Sequence, residues 1–168
     1  RDNVIEAQAG MMYCYYRTNS YGNAIMYARK LIDGDKVSNN LVTEAHLISA
    51  RASLAMNDYE PATTGFKTVV SRMGNSETGA EARYSLALIQ YKLGNYKDSQ
   101  KRCFEVVNQV PSYEYWIGKS FILLGDNYLA LMPGESRTVR IEMNEADCRG
   151  ESPRLEIGGF NASAAAAR

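Results

Sequence analysis

The sequence predicts an all-α fold, a right-handed α-solenoid of antiparallel helix pairs that ends in a short β-like or irregular tail. Three observations carry this. Apolar and small residues recur at helical spacing through residues 3–131. Polar breaks rich in Gly, Asn and Ser interrupt them. One pattern, Tyr-x-x-small, returns as Tyr21-x-x-Ala24, Tyr59-x-x-Ala62 and Tyr96-x-x-Ser99, 38 and 37 residues apart. One helix pair cannot bury its apolar face alone, so a repeat of this length implies stacked pairs.

The first helix is expected over about Asn3 to Arg17, with Val4, Ala7, Met11, Met12, Tyr15 and Tyr16 as its apolar recurrence. Ser20 is placed to cap a second helix that opens at Tyr21 and carries Ala24, Ile25, Ala28, Leu31 and Ile32. A third, from about Leu41 to Met56 with Asn40 as cap, shows Leu41, Ala45, Ile48, Ala52 and Ala55. The Asn57-Asp58 turn opens a fourth, marked by Tyr59, Ala62, Phe66, Val69 and Val70, with Pro61 in the first turn where a missing N–H costs little. After a polar loop at Arg72 to Gly79, Thr78-x-x-Glu81 reads as a capping box for a fifth helix, Gly79 to Leu93. Gly94 can take the left-handed conformation that ends it, and Asn95 can cap a sixth, Tyr96 to about Val110, with Ser99, Cys103 and Val106 on one face. The seventh runs from about Tyr113 to Leu131.

From Met132 the texture changes. Ser136 to Met143 and Arg154 to Phe160 alternate with a period of two, the signal of half-buried strands, and the terminal Ala-rich run is expected to be frayed or foreign.

Composition limits the function. The 19 basic and 19 acidic side chains cancel, so no long-range field favours nucleic acid. No apolar run reaches the roughly 20 residues that span a bilayer, so no membrane insertion is expected. The chain starts at Arg1 instead of Met, as an interior or processed piece would. Cys14, Cys103 and Cys148 have neither the count of a disulfide framework nor the spacing of a zinc site, and Cys14 and Cys103 are expected to be buried thiols. There is no P-loop, zinc-protease motif or nucleophile elbow, and the single histidine, His46, reads as a packed or surface residue. Glu142, Glu145 and Asp147 read as solvated acids. No catalysis, cofactor or metal is expected.

At its repeated residues the chain resembles the tetratricopeptide repeat family. The third repeat carries the likeness most fully, in Ala87, Tyr91, Gly94, Tyr96, Ser99 and Pro111, with Cys103 where an aromatic is usual. The second follows at Ala50, Tyr59, Ala62 and Phe66, with Asn57 for the turn Gly; the first at Tyr15, Tyr21 and Ala24, with Met12 for the small residue. Gly125 and Tyr128 match the first helix of a fourth. The resemblance implies repeats at about 3–37, 41–74 and 78–111 and a half repeat at 113–131, each slightly longer than the family's usual length of about 34 residues. The wording GNYKDSQKRCFEVV…KSFILLGDNYLAL is similar to long envelope-associated repeat proteins of bacteria. Residues 132–168 resemble the last strands of the immunoglobulin-like C-terminal domain of β-mannosidase-type glycoside hydrolases, a non-catalytic module.

The tetratricopeptide resemblance implies a protein-interaction scaffold whose first helices line a concave face and bind a peptide or protein partner. Carried onto matching positions, the contact residues are Tyr13, Tyr16 and Arg17; Leu47 and Arg51; Tyr84, Leu88, Tyr91 and Lys92; and Ile122 and Asp126. The competing reading of the tyrosines is packing between repeats. Two other functions stay open: an accessory piece of a carbohydrate-active protein, and a structural spacer that stacks end to end through the helix at 113–131.

Overall fold

A computed structural model describes residues 2–128, 155–159 and 162–167, with side chains for 3–125. Among the described residues seven helices follow one another: α1 Asp2–Arg17, α2 Tyr21–Ile32, α3 Asn39–Ala55, α4 Tyr59–Met73, α5 Glu77–Lys92, α6 Tyr96–Val107 and α7 Glu114–Tyr128. Each packs against the next, and the first helices of successive pairs also meet, α1 with α3 and α5 with α7. This is an α-solenoid.

The same turn closes each pair. Asn19, Asn57 and Gly94 take positive φ, 58°, 59° and 78°. In each, the turn residue's N–H donates to the carbonyl three residues back and the next N–H to the carbonyl five back: Asn19 to Tyr16 and Ser20 to Tyr15, Asn57 to Leu54 and Asp58 to Ser53, Gly94 to Tyr91 and Asn95 to Gln90. These are the paired bonds of a Schellman motif, which satisfy carbonyls that the helix end leaves open. Asn is among the few non-Gly residues that tolerate this backbone. The Tyr21 and Tyr59 hydroxyls also donate to Oδ1 of Asn19 and Asn57, at 2.8 and 3.1 Å.

Helix starts differ from the sequence expectation in a consistent way. Ser38, in extended conformation, caps α3 by accepting from the Leu41 N–H, so Asn40 lies inside the helix. Ser76 caps α5 by accepting from Gly79 N–H at 3.1 Å, so Thr78 lies inside the helix and no Thr78 capping box forms; Glu81 is engaged by Arg51 instead. Ser20 and Asn95 stand at N-cap positions without a side-chain cap bond. Their side chains bond elsewhere, Ser20 Oγ accepting from Asn23 and Asn95 donating to Gln90.

Burial follows the neighbours each helix has. Phe66, fully buried on α4, shares a core with Leu47 and Ala50 of α3 and Ala82, Leu86 and Ile89 of α5. A second core joins Met12, Ala28, Leu31, Ala45 and Ile48, with Ile5, Ala9, Tyr13 and Tyr16 packed on it. On α1 the buried stripe is therefore Ile5, Ala9, Met12, Tyr13 and Tyr16, while Val4, Ala7 and Met11 are exposed. At the place of Ala7, Ala45 of α3 and Ala82 of α5 are fully buried, each on a helix that a pair precedes. No described pair precedes α1.

Between repeats, Arg83 of α5 donates to the Gly74 carbonyl and to Gln109 Oε1, Gln109 donates to the same carbonyl at 3.2 Å, and the Tyr113 hydroxyl reaches the Asn75 carbonyl at 2.9 Å. The turn between α4 and α5 is thus tied to the segment that enters α7.

The two cysteines with described side chains differ. Cys103 is buried with its thiol pushed up to about 11 by desolvation, against a lowering contribution from its hydrogen bond with Ser99. Cys14 is exposed, contrary to the sequence expectation, because it lies off the buried stripe of α1. The thiolate is the nucleophile, so iodoacetamide at pH 8 should alkylate Cys14 in the native protein and spare Cys103 until denaturant is added, as read by peptide mass spectrometry.

The chain divides into two units, residues 1–130 and 131–168. In the second unit, β1 (Leu155–Gly159) pairs antiparallel with β2 (Ala162–Ala167), Leu155 opposite Ala167 and Gly159 opposite Ala162, with an irregularity between Ile157 and Gly159. The strand expected from Arg154 is present. The Ala-rich run is its partner strand. The expected strand at 136–143 lies outside the described residues, as do Cys148, Glu142, Glu145 and Asp147.

Candidate functional site

The first helices form one row, so their corresponding positions form lines that cross it. The turn residues fix the correspondence between pairs, 57 − 19 giving 38 and 94 − 57 giving 37. On α7, Ser120, Leu123 and Leu124 are buried as Ala82, Ser85 and Leu86 are on α5, 38 residues earlier.

One line holds Tyr13, Arg51, Leu88 and Asp126; another holds Glu6, Glu44, Glu81 and Lys119. Between α1 and α3 the Tyr13 hydroxyl faces Glu44. Burial first, and then the interaction with that carboxylate, hold its pKa above the usual phenol value, because both favour the neutral form. One repeat later the Arg51 guanidinium makes the equivalent contact, a two-nitrogen fork on both carboxylate oxygens of Glu81. Burial works against the Arg51 charge, and the hydrogen bond and charge of Glu81 outweigh it, so its pKa is raised. Tyr16 lies close enough to Arg51 to feel its charge, and burial dominates in raising its own pKa.

The third crossing breaks the pattern. Leu88 offers no donor, and Lys119 stands where a glutamate is expected. The Lys119 ammonium lies 5.8 Å from the Tyr84 ring centre and 5.3 Å from that of Tyr115. Trp116 adjoins both rings, at 5.6 Å from Tyr84 and 4.9 Å from Tyr115. Its indole N–H is a buried donor without an acceptor among the described residues.

The residues expected on this face fall into three groups. Arg17, Lys92 and Ile122 are exposed, Ile122 at 69%. Tyr13, Tyr16, Arg51, Tyr84, Leu88 and Tyr91 are half-buried: the first two pack on the second core, and Tyr84, Leu88 and Tyr91 on a third formed by Ala87, Cys103, Leu123 and Leu124. Tyr91 also meets Tyr96 edge-on at 5.7 Å. These tyrosines pack between helices and show part of their surface as well.

Leu47 is a correction. It is 7% exposed in the Phe66 core, which α4 and α5 build with α3. It cannot touch a partner without unpacking. The Asp126 side chain lies outside the described residues.

The sequence reading missed Glu44, Glu81 and Lys119. A signal existed in the recurrence of Glu at 6, 44 and 81 with Lys at 119, which becomes visible once the turns set the register. His46 is half-buried, and desolvation leads, followed by Arg72, in pulling its pKa below the ordinary value. Among the described residues no group of three or more His, Cys, Asp or Glu side chains could hold a metal ion. No described helix is long and apolar enough to cross a membrane.

None of the curated proteins matches the chain. The helical repeat has no tetratricopeptide family match beside it. Residues 122–162 match the exo-beta-D-glucosaminidase Ig-fold domain family. The matched span starts inside α7 and includes all of β1. An immunoglobulin-like sandwich is built of strands, whereas Ile122–Tyr128 is helical here and Leu123 and Leu124 pack beside Ala87 and Cys103. The C-terminal part of the chain is thus similar to a domain found in a glycoside hydrolase family, over a span shared between a solenoid helix and the hairpin.

Proposed function

We propose that the helical unit is a protein-interaction scaffold without catalysis, which holds a peptide or protein segment along the row of α1, α3, α5 and α7. The observation that carries this reading is the chemistry of that row. Half-buried tyrosines with hydroxyl tips alternate with Arg17, Arg51, Lys92 and Lys119, and Ile122 stands exposed beside them. Tyrosines held by packing and arginine are what binding hot spots concentrate, and a packed ring loses little rotamer freedom when a partner covers it.

The test is to select peptides from a displayed library on the folded chain and map one of them by amide shift perturbation. Shifts confined to α1, α3, α5 and α7 are expected, and a map centred on α2, α4 and α6 would refute the assignment of the face.

A second reading, an accessory piece of a carbohydrate-active protein, is favoured by the match at residues 122–162 to a glucosaminidase-associated domain. Saturable binding of β-linked glucosamine oligomers by the whole chain would support it, and the absence of any binding would remove it.

A further inference from the structure

We propose that Lys119, with Tyr84, Leu88 and Ile122 around it, is a site for an acidic side chain flanked by an apolar one on a bound peptide, which rests on the scaffold reading above and names its partner class. The inference starts from the row's own pattern. At the second crossing the acid of α5 is taken by the Arg51 guanidinium in a two-nitrogen fork, and at the first Tyr13 faces the acid of α3. At the third crossing the chain supplies a cation in place of the acid and an aliphatic side chain in place of the donor, so the polarity is inverted and no described side chain closes it with an ion pair.

Lys119 has no carboxylate within ion-pair distance among the described residues. Its own helix offers none within a turn in either direction, where Tyr115, Trp116, Ile122 and Leu123 stand. The rings of Tyr84 and Tyr115 hold the ammonium at 5.8 and 5.3 Å, within the reach of about 6 Å for a cation over an aromatic face. That contact positions the nitrogen without using its N–H donors in hydrogen bonds, and an ammonium carries three of them. A carboxylate is the acceptor that best matches such a group. Beside it, Leu88 is half-buried and Ile122 is exposed, an apolar surface suited to a neighbouring Leu or Phe of the ligand.

Trp116, the single tryptophan, stacks on the two rings that hold Lys119 and is a built-in reporter. The whole chain is titrated with three short synthetic peptides that alternate Leu with Asp, with Lys, or with Gln, while Trp116 emission is followed. A saturable, salt-sensitive change is expected with the Asp-Leu peptide alone. Lys119→Gln should weaken it about tenfold, the effect of losing one charge-assisted contact. Lys119→Glu should abolish it and admit the Lys-Leu peptide. Both variants should keep the wild-type helical signal, and if Lys119→Glu fails to fold, Lys119→Gln carries the comparison. Equal binding of all three peptides, or an Asp-Leu affinity unchanged in the variants, would overturn the proposal and leave the row as a charge-blind peptide surface. No binding of any peptide would also overturn it, and the library selection then decides the scaffold reading separately.

Discussion

Phe66→Ala is expected to remove about 3–5 kcal/mol of stability, the cost of emptying a fully buried aromatic site. Phe66 is 0% exposed and lies between α3 and α5, so its loss opens a void both within its own helix pair and in the contact with the next repeat. For a unit of this size the melting temperature, followed by helical circular dichroism, should fall by roughly 10–20 °C. Phe104→Ala is the control. That ring is 41% exposed on α6, and its truncation should cost less than about 1 kcal/mol. Similar losses for the two would show that the Phe66 site can collapse or that the core is placed wrongly.

Gly79→Ala should destabilise by about 1–3 kcal/mol through overpacking, even though Ala is the better helix former. A Cβ at Gly79 would stand 2.2 Å from the Met73 carbonyl oxygen and 2.8 Å from that of Gly74. Both obstacles are backbone, and Gly74 is itself held by Arg83 and Gln109, so the turn between α4 and α5 cannot retreat without releasing those bonds. Gly10, in the interior of α1, has nothing within 4 Å of an added Cβ. Gly10→Ala should therefore stabilise by up to about 1 kcal/mol. Urea melts of the two variants should move in opposite directions; movement in the same direction would contradict the close approach at Gly79.

Much of the fold was legible because one repeat explains the next. The Tyr-x-x-small pattern and the turn at Gly94 gave the boundaries of α2, α4 and α6 at their starts, and Asn57 was recognisable as a stand-in for the turn glycine. Faces were harder. On α1 more than one helical stripe is apolar, and only the helices alongside decide that Met12 and Tyr13 go inside while Val4 and Met11 stay out. The same holds for Leu47, which a first-helix position placed on the binding face and which the core shared with α4 and α5 buries. Caps were missed by a few residues because Ser38 and Ser76 satisfy helix N–H groups from ahead of the expected Asn40 and Thr78. The candidate site was legible in its tyrosines and basic residues. Its internal ties were not, since Tyr13 with Glu44 and Arg51 with Glu81 join residues about 30 positions apart, and nothing local in the sequence marks such pairs.

The three closing turns have a consequence for how such a row can diversify. Each is held by two main-chain bonds, and the side chains that line the row take no part in them. The angle at which a pair is folded is thus insulated from the identity of the residues it presents. Glu6, Glu44, Glu81 and Lys119 occupy one repeated place with two opposite charges and one unchanged backbone frame. A lineage carrying this architecture is free to rewrite what the row selects, one position at a time, without renegotiating the scaffold beneath it.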